Sequence, residues 1–384
     1  MVQEHSTNET ATRRTVLKGG SLLVGGLLAG CTGGGEESAA DPTPTETGTA
    51  TSDRSYSVSI APIGEVTFET VPETWIAGNG SWADMGIALG QAPPRGVWLP
   101  GRYHTQYYEE IPGISVDKSD LRKLWGDGGV GNEQFYEINA DVHVADPNFL
   151  LNRGKWEQSD IDDITTNVGP FFGNSIFSRS YPWHEDYRYY TLMEAFEKLA
   201  AVFQEQERYE AFEAVHESFQ ADLAPIVPER EQRPSVAVIW GSGDAPEEFY
   251  PYVIDDGTSF KHLTDLKVTD ALAHTDVKNF FTSRAAIDYE TLAEIDPEVL
   301  LVRGQEAKSA EQFRNTVVES MAEHTVGSEL TAVQNDDVYR GGPLYQGPIT
   351  NLVVTERLAQ ALYGVAEELF DRQRVADIVS GDAL

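Results

Sequence analysis

The sequence predicts an α/β fold of two similar lobes joined by a long helical bridge. Three observations predict it: a β-turn-α-β rhythm early in the chain, a segment that recurs without a gap in the second half, and a long stretch of helical apolar periodicity between the two. Length agrees, since 384 residues exceed one average domain and suit two lobes of about 100–150 residues each. An apolar fraction of 40% is enough for sizeable cores.

The first residues read as an address. Residues 1–12 are polar, Arg13 and Arg14 form a pair, and a short apolar stretch over 21–29 ends in Leu28, Ala29, Gly30 and Cys31. A basic start, an apolar run far short of about 18 residues and small residues before a cut site describe a signal peptide, not a spanning helix. The arginine pair resembles the twin-arginine export signal, and the small residues before Cys31 resemble the lipobox, where the thiol is lipidated and the chain is cut before it. Residues 1–31 are therefore expected to be a lipoprotein signal with Cys31 as its lipid anchor. Cys31 is the single cysteine, so no intramolecular disulfide can form. Residues 32–54 run through glycines, Ser, Thr, Pro and acids with too few apolar groups to offset ordering entropy, and read as a disordered tether.

The first lobe is expected over 55–186. Tyr56–Ile60 alternates like a strand, Gly64 marks a turn, and 66–68 resumes extended structure. The apolar run 74–78 reads as a buried strand. The turn 78–81 ends in Ser81 as N-cap of a helix that stops at Gly90, and the next strand is expected over 96–100. Glu133–Ile138 reads as a helix and 140–145 as a strand. The same figure returns as a helix over 290–295 and a strand over 297–302, and residues 133–142 align with 290–299 without a gap. Between them Leu192, Phe196, Leu199, Phe203, Phe212, Val215, Phe219 and Leu223 keep helical spacing, so 187–228 is the bridging segment and 229–384 the second lobe.

Charge narrows the function. Sixty-two acidic residues against 28 basic ones give a net charge of -34. Such a surface repels nucleic acid and anionic lipid. An excess of this size is expected of a protein from a halophile, because molar salt shortens the Debye length to about 3 Å and screens self-repulsion. An enzyme is not expected: Gly241, Ser242 and Gly243 lack the full nucleophile-elbow pattern, and no phosphate-cradling loop or metallohydrolase motif is present. The eight histidines show no ligand spacing, so neither a bound metal nor a cofactor is expected.

Taken in order, these segments resemble the solute-binding proteins of ABC importers for siderophores, cobalamin and haem, whose two lobes are joined by a rigid helix. The resemblance rests on the opening hairpin with Gly64, Pro72 and Glu73 before the first core strand, residues 84–90, both helix-strand units and the bridge. It continues through 330–333 ahead of 337–339 and the helix over 352–362. It departs at Thr74, where the family often has arginine, and over 162–190, which is longer and more aromatic. The resemblance implies two Rossmann-like lobes with the ligand cleft between them, a permease and an ATPase as partners, and a place on the outer face of the cytoplasmic membrane. It also implies that Glu133 and Glu290, each eight residues before the acid that starts the next strand, dock on permease arginines. Ordinary helix-start carboxylates favoured by the dipole are the plainer alternative.

By the same analogy the ligand lies at loops that follow strand ends. These are 79–82, 100–108 and 146–153 in the first lobe, and 240–252, 280–284, 303–304 and 340–345 in the second, with 179–184 able to close over them. An anionic iron chelate needs cations and flat apolar surfaces, so the candidates are Arg102, Arg284, Arg303 and Arg340 with Trp82, Tyr103, Tyr181, Trp183, Trp240, Tyr250 and Tyr345. Surface ion pairs for the arginines and core packing for Trp240 and Tyr103 are the competing readings. A ferric siderophore is the expected ligand, with cobalamin, haem, a free metal or an oxyanion as alternatives. A surface-anchored enzyme and a structural surface lipoprotein are the rival classes, and the latter fits the anchor but predicts neither the lobe repeat nor the bridge.

Overall fold

The computed structural model describes residues 55–179 and 181–382. The readings at Arg13, Arg14 and Cys31 and over 32–54 lie outside the described residues.

The chain opens with an antiparallel hairpin, β1 (Tyr56–Ile60) and β2 (Gly64–Phe68), turning at Gly64 with φ of 95°. A parallel sheet follows, built from β3 (Trp75–Ala77), β4 (Gly96–Val97), β5 (Arg122–Lys123) and, after a small hairpin of β6 (Trp125–Gly126) and β7 (Gly129–Val130), β8 (Val142–Val144). Its order is β5-β4-β3-β8, with Phe171 bridged in parallel to His143 at the outer edge. The expected strand over 96–100 is cut short. Pro100 has no amide to donate and instead starts a 3-10 turn, Pro100–Arg102. The cap of the first helix, Gly80–Ala88, is Asn79 rather than Ser81, because the Asn79 side chain accepts from the Ser81 and Trp82 amides at 2.9 and 3.4 Å.

The second lobe holds β9 (Ser235–Gly241), β10 (Phe249–Pro251), β11 (Thr269–Asp270), β12 (Val299–Arg303) and β13 (Val338–Arg340). The order is β10-β9-β12-β13, with β9, β12 and β13 parallel, β10 antiparallel and β11 beside the start of β9. Along β9, Val236 and Val238 face the main core while Ala237 and Ile239 face a satellite core. Both faces are therefore apolar, as a sheet covered on two sides requires.

The repeat seen in the sequence is a repeat in space. Glu133–Ile138 and Tyr289–Ile295 are both helices, each closed by a residue in the left-handed region, Asn139 at φ 50° and Asp296 at φ 44°. Each then leads into a strand whose first acid ties down its neighbour: Asp141 accepts from the Glu73 and Thr74 amides at 3.0 and 2.7 Å, and Glu298 from the Ser235 amide at 2.7 Å. Thr74, where the resemblance led us to look for arginine, also donates its hydroxyl to Asp141 at 2.8 Å.

The bridge is helical as its periodicity predicts, and it is made of two helices. Leu192–Phe203 starts at a Thr191–Glu194 capping box, and Gln206–Leu223 follows. Gln204, at φ 56°, turns the chain so that Phe196 packs on Tyr209 and Phe212 at ring distances of 5.6 and 5.7 Å. The apolar spacing lapses at the corner, where the five polar residues 204–208 separate Phe203 from Tyr209. One core then runs from the first sheet through the bridge to the second.

Candidate functional site

Strand ends from both lobes meet at one seam. From the first lobe come the turn carrying Arg102 and the π-turn Leu150–Gly154 carrying Arg153. From the second come Trp240 at the end of β9, the short helix Phe280–Ser283 capped by Arg284, and the loop after β13 with Tyr345. The residues that follow Phe171 cross between them. Ile176 O accepts from the Thr258 amide at 2.9 Å and Phe177 O from the Ser259 amide at 3.4 Å, so this strap is bonded to the second lobe through its backbone. Gly257 permits the approach, since a Cβ there would stand 2.5 Å from Phe177 O.

The seam is aromatic. Phe149 packs on Phe177 and Tyr181 at 6.1 and 5.9 Å, Phe177 on Tyr345 at 5.1 Å, and Tyr181 on Phe281 at 5.5 Å. Trp183 stacks on Tyr181 at 4.3 Å, and Tyr250 leans on Phe280 at 5.0 Å. The space bounded by Gly78, Asn79, Trp98, Asp146, Phe177 and Tyr345 is about 10 Å³, near the lower bound for one water.

Into this seam come three cations. Arg102 lies 4.8 Å over the Trp240 ring, reaching from one lobe to the other, and hydrogen-bonds Tyr345. Arg284 lies 4.3 Å over Phe280 and hydrogen-bonds Tyr181. Burial raises the Tyr345 phenol, while Arg102, Arg284 and Arg153 act on it in the opposite sense. Burial lowers Arg284, and Arg153 lowers it further by repulsion. Among the described residues no carboxylate lies within ion-pair distance of Arg102, Arg153 or Arg284. In a chain with more than two acids for each base, three such arginines around one tyrosine form a cationic cradle for an anion.

Trp82 is buried and lines the same small space as Phe177 and Tyr345, its indole donating to Asn174 O at 3.3 Å. The remaining candidates do not join the cradle. Tyr103 is buried in the main core, its phenol paired with Tyr108 at 3.0 Å. Arg303 is fully buried inside the second lobe, donating to Ser259 O and lying 4.7 Å over Phe260. Arg340 faces a separate pocket beside β13. Arg153, Phe177, Tyr252 and Phe281 were not singled out from the sequence; Arg153 closes the loop 146–153, so the strand-end rule reached its loop but not the residue. Glu133 and Glu290 are both exposed in the first turn of their helices. Among the described residues no group of three or more His, Cys, Asp or Glu could hold a metal ion, and no helix is long and apolar enough to cross a membrane.

Two parallel-sheet lobes joined by helices, with a cradle at the seam, form a two-lobed binding fold. Residues 157–344 match the model of the periplasmic binding protein family. Among solved structures it is similar to the triscatecholate siderophore binding protein FeuA from Bacillus subtilis, at 17% identity over 77% of this chain and 95% of that one, with a TM-score of 0.52. The siderophore binding protein FhuD from Vibrio cholerae, bound to Fe3+-Desferal, matches at 16% identity over 77% and 99% with a TM-score of 0.52. SirA from Staphylococcus aureus, complexed with staphyloferrin B, matches at 15% over 83% and 100%, again with a TM-score of 0.52. At these identities the likeness is one of fold. No curated protein sequence matches the chain.

Proposed function

We propose that this chain is the solute-binding component of an ABC importer and that it captures an anionic metal chelate, foremost a ferric siderophore, for delivery to a membrane permease and its ATPase. The observation that carries this reading is the set of Arg102, Arg153 and Arg284 around Tyr345, free of carboxylate partners among the described residues. An anion set between Arg153 and Arg284 relieves their repulsion, and the flanking rings match the flat, apolar periphery of a chelate. The binding proteins FeuA, FhuD and SirA, which share the fold, take siderophores. The space beside Tyr345, about 10 Å³, is too small for a chelate, so a chelate at the cradle would seat with the Tyr181–Tyr345 cluster withdrawn or the lobes parted.

The same reading puts the protein on the cell surface, exported through Arg13 and Arg14, held at the outer face of the cytoplasmic membrane by lipid on Cys31, and docked through Glu133 and Glu290. These assignments rest on the sequence.

Intrinsic tryptophan fluorescence, titrated in high salt with ferric siderophores, haem, cobalamin and free metal ions, tests the ligand class. Saturable quenching by an anionic ferric chelate is expected. Each of Arg102→Ala, Arg153→Ala and Arg284→Ala should weaken it by about 10- to 100-fold, the worth of a charged hydrogen bond of about 1.5–3 kcal/mol. Affinity unchanged from the parent in all three variants, or quenching by cobalamin alone, overturns the anionic-chelate assignment.

A further inference from the structure

A second pocket lies away from the seam. It is bounded by β13, the segment over 310–318, the helix Pro348–Tyr363 and, from the first lobe, Tyr107, and it shares no lining residue with the cradle. Its floor is apolar: Phe313, Val318, Val338, Val354 and Leu358. Its rim carries Arg314, Arg340 and Arg357.

These arginines are not equivalent. Arg314 holds both oxygens of Asp336 at 2.7 Å, and Arg357 donates to Glu110 at 2.6 Å while lying 5.2 Å over the Tyr107 ring. Arg340 instead donates one nitrogen to Lys308 O at 2.5 Å, with no carboxylate within ion-pair distance among the described residues. The buried Glu306 acts on it only at longer range, its carboxylate turned to the Gly304 amide at 3.0 Å. His262 adds a ring edge and no charge, because its Nε2 is bonded to Gly341 O at 3.1 Å and Gln346 is bonded to its Nδ1 at 2.9 Å. The pocket therefore offers one half-buried cation with spare donors over an apolar floor. Its volume is about 200 Å³, below the roughly 300–1,000 Å³ of pockets for drug-sized ligands.

The geometry points to a second binding site, for a small amphiphilic carboxylate of about benzoate size whose carboxylate pairs with Arg340 and whose apolar body lies on Val338, Val354 and Leu358. The pairing uses the planar fork of the guanidinium, and the floor rejects small hydrophilic anions because it has nothing to bond them. This site is independent of the ligand proposed for the seam.

Isothermal titration of the protein with sodium benzoate at constant ionic strength tests it, with benzyl alcohol and acetate as controls. Saturable millimolar-or-tighter binding of benzoate is expected, at least tenfold stronger than of either control. Arg340→Met should lower it tenfold or more. Ala361→Leu, at an exposed helical position on the rim, should block it while the far-UV circular dichroism of the parent is kept. Arg284→Ala, in the cradle, should leave it unchanged. No saturable binding, equal binding by Arg340→Met and the parent, or loss in Arg284→Ala overturns the assignment.

Discussion

Arg284 and Arg303 are the same residue type at the same kind of position, a strand or helix end in the second lobe, yet they do different things. Arg303 is fully buried against Phe260 and Tyr252, and burial brings it down to about 10, so it stays charged at neutral pH and acts inside the lobe. Arg284 stands exposed at the seam. Histidine shows the same dependence on surroundings. Burial lowers His143 to about 4 and His262 to about 3, and Arg303 beside His262 adds to its shift. Both folded values lie below the ordinary 6.5, so between pH 6.5 and about 4 these two sites bind more protons in the unfolded chain and draw stability down as pH falls, while the raised Asp84 and Glu306 act in the opposite sense. Urea denaturation across that window should show it, at up to about 1.4 kcal/mol per pH unit for each fully shifted histidine. His143→Leu should flatten the slope, and parallel slopes for the two proteins would refute the role given to His143.

The Pro348–Tyr363 helix shows how an element depends on a distant one. Its own N-cap, Gly347, has no side chain to offer, and the missing acceptor comes from Asp84 in the first helix, which receives the Thr350 amide at 3.0 Å. Glycine is required there because a Cβ would sit 2.4 Å from the Asp84 carboxylate. Burial raises Asp84 to about 6, so above that pH its charge is held at some cost that the helix N-terminus partly offsets. Asp84→Ala should lose about 1–3 kcal/mol by leaving a buried donor unmet. Asp84→Asn retains an acceptor and should lose far less at pH 7. Equal losses in chemical denaturation would show that the cap is not what Asp84 contributes. The element is visible in the apolar pattern over 352–362, but its first turn is not, because the capping group lies 266 positions away.

At the scale of the whole molecule, Glu133 and Glu290 occupy equivalent places in the two halves, exposed in the first turn of matching helices. If they are the docking contacts, the double variant Glu133→Arg/Glu290→Arg should abolish uptake in a reconstituted importer while ligand affinity stays unchanged. Normal uptake would dispose of the assignment. The sequence by itself determined the two-lobed α/β architecture. Strand and helix periodicities are local, and the 133–142 and 290–299 repeat carries its left-handed caps at Asn139 and Asp296 and its tying acids in register. It also pointed to the aromatic, arginine-bearing loops at the strand ends. Only the tertiary structure decided which arginines share a seam, that Arg303 is a buried strut, that Arg340 faces a different pocket, and that the bridge turns at Gln204. The physical reason is that a charge or a ring acquires its role from what stands within a few ångströms of it. In this fold those neighbours come from segments that the chain brings together only once both lobes and the strap have closed on one another.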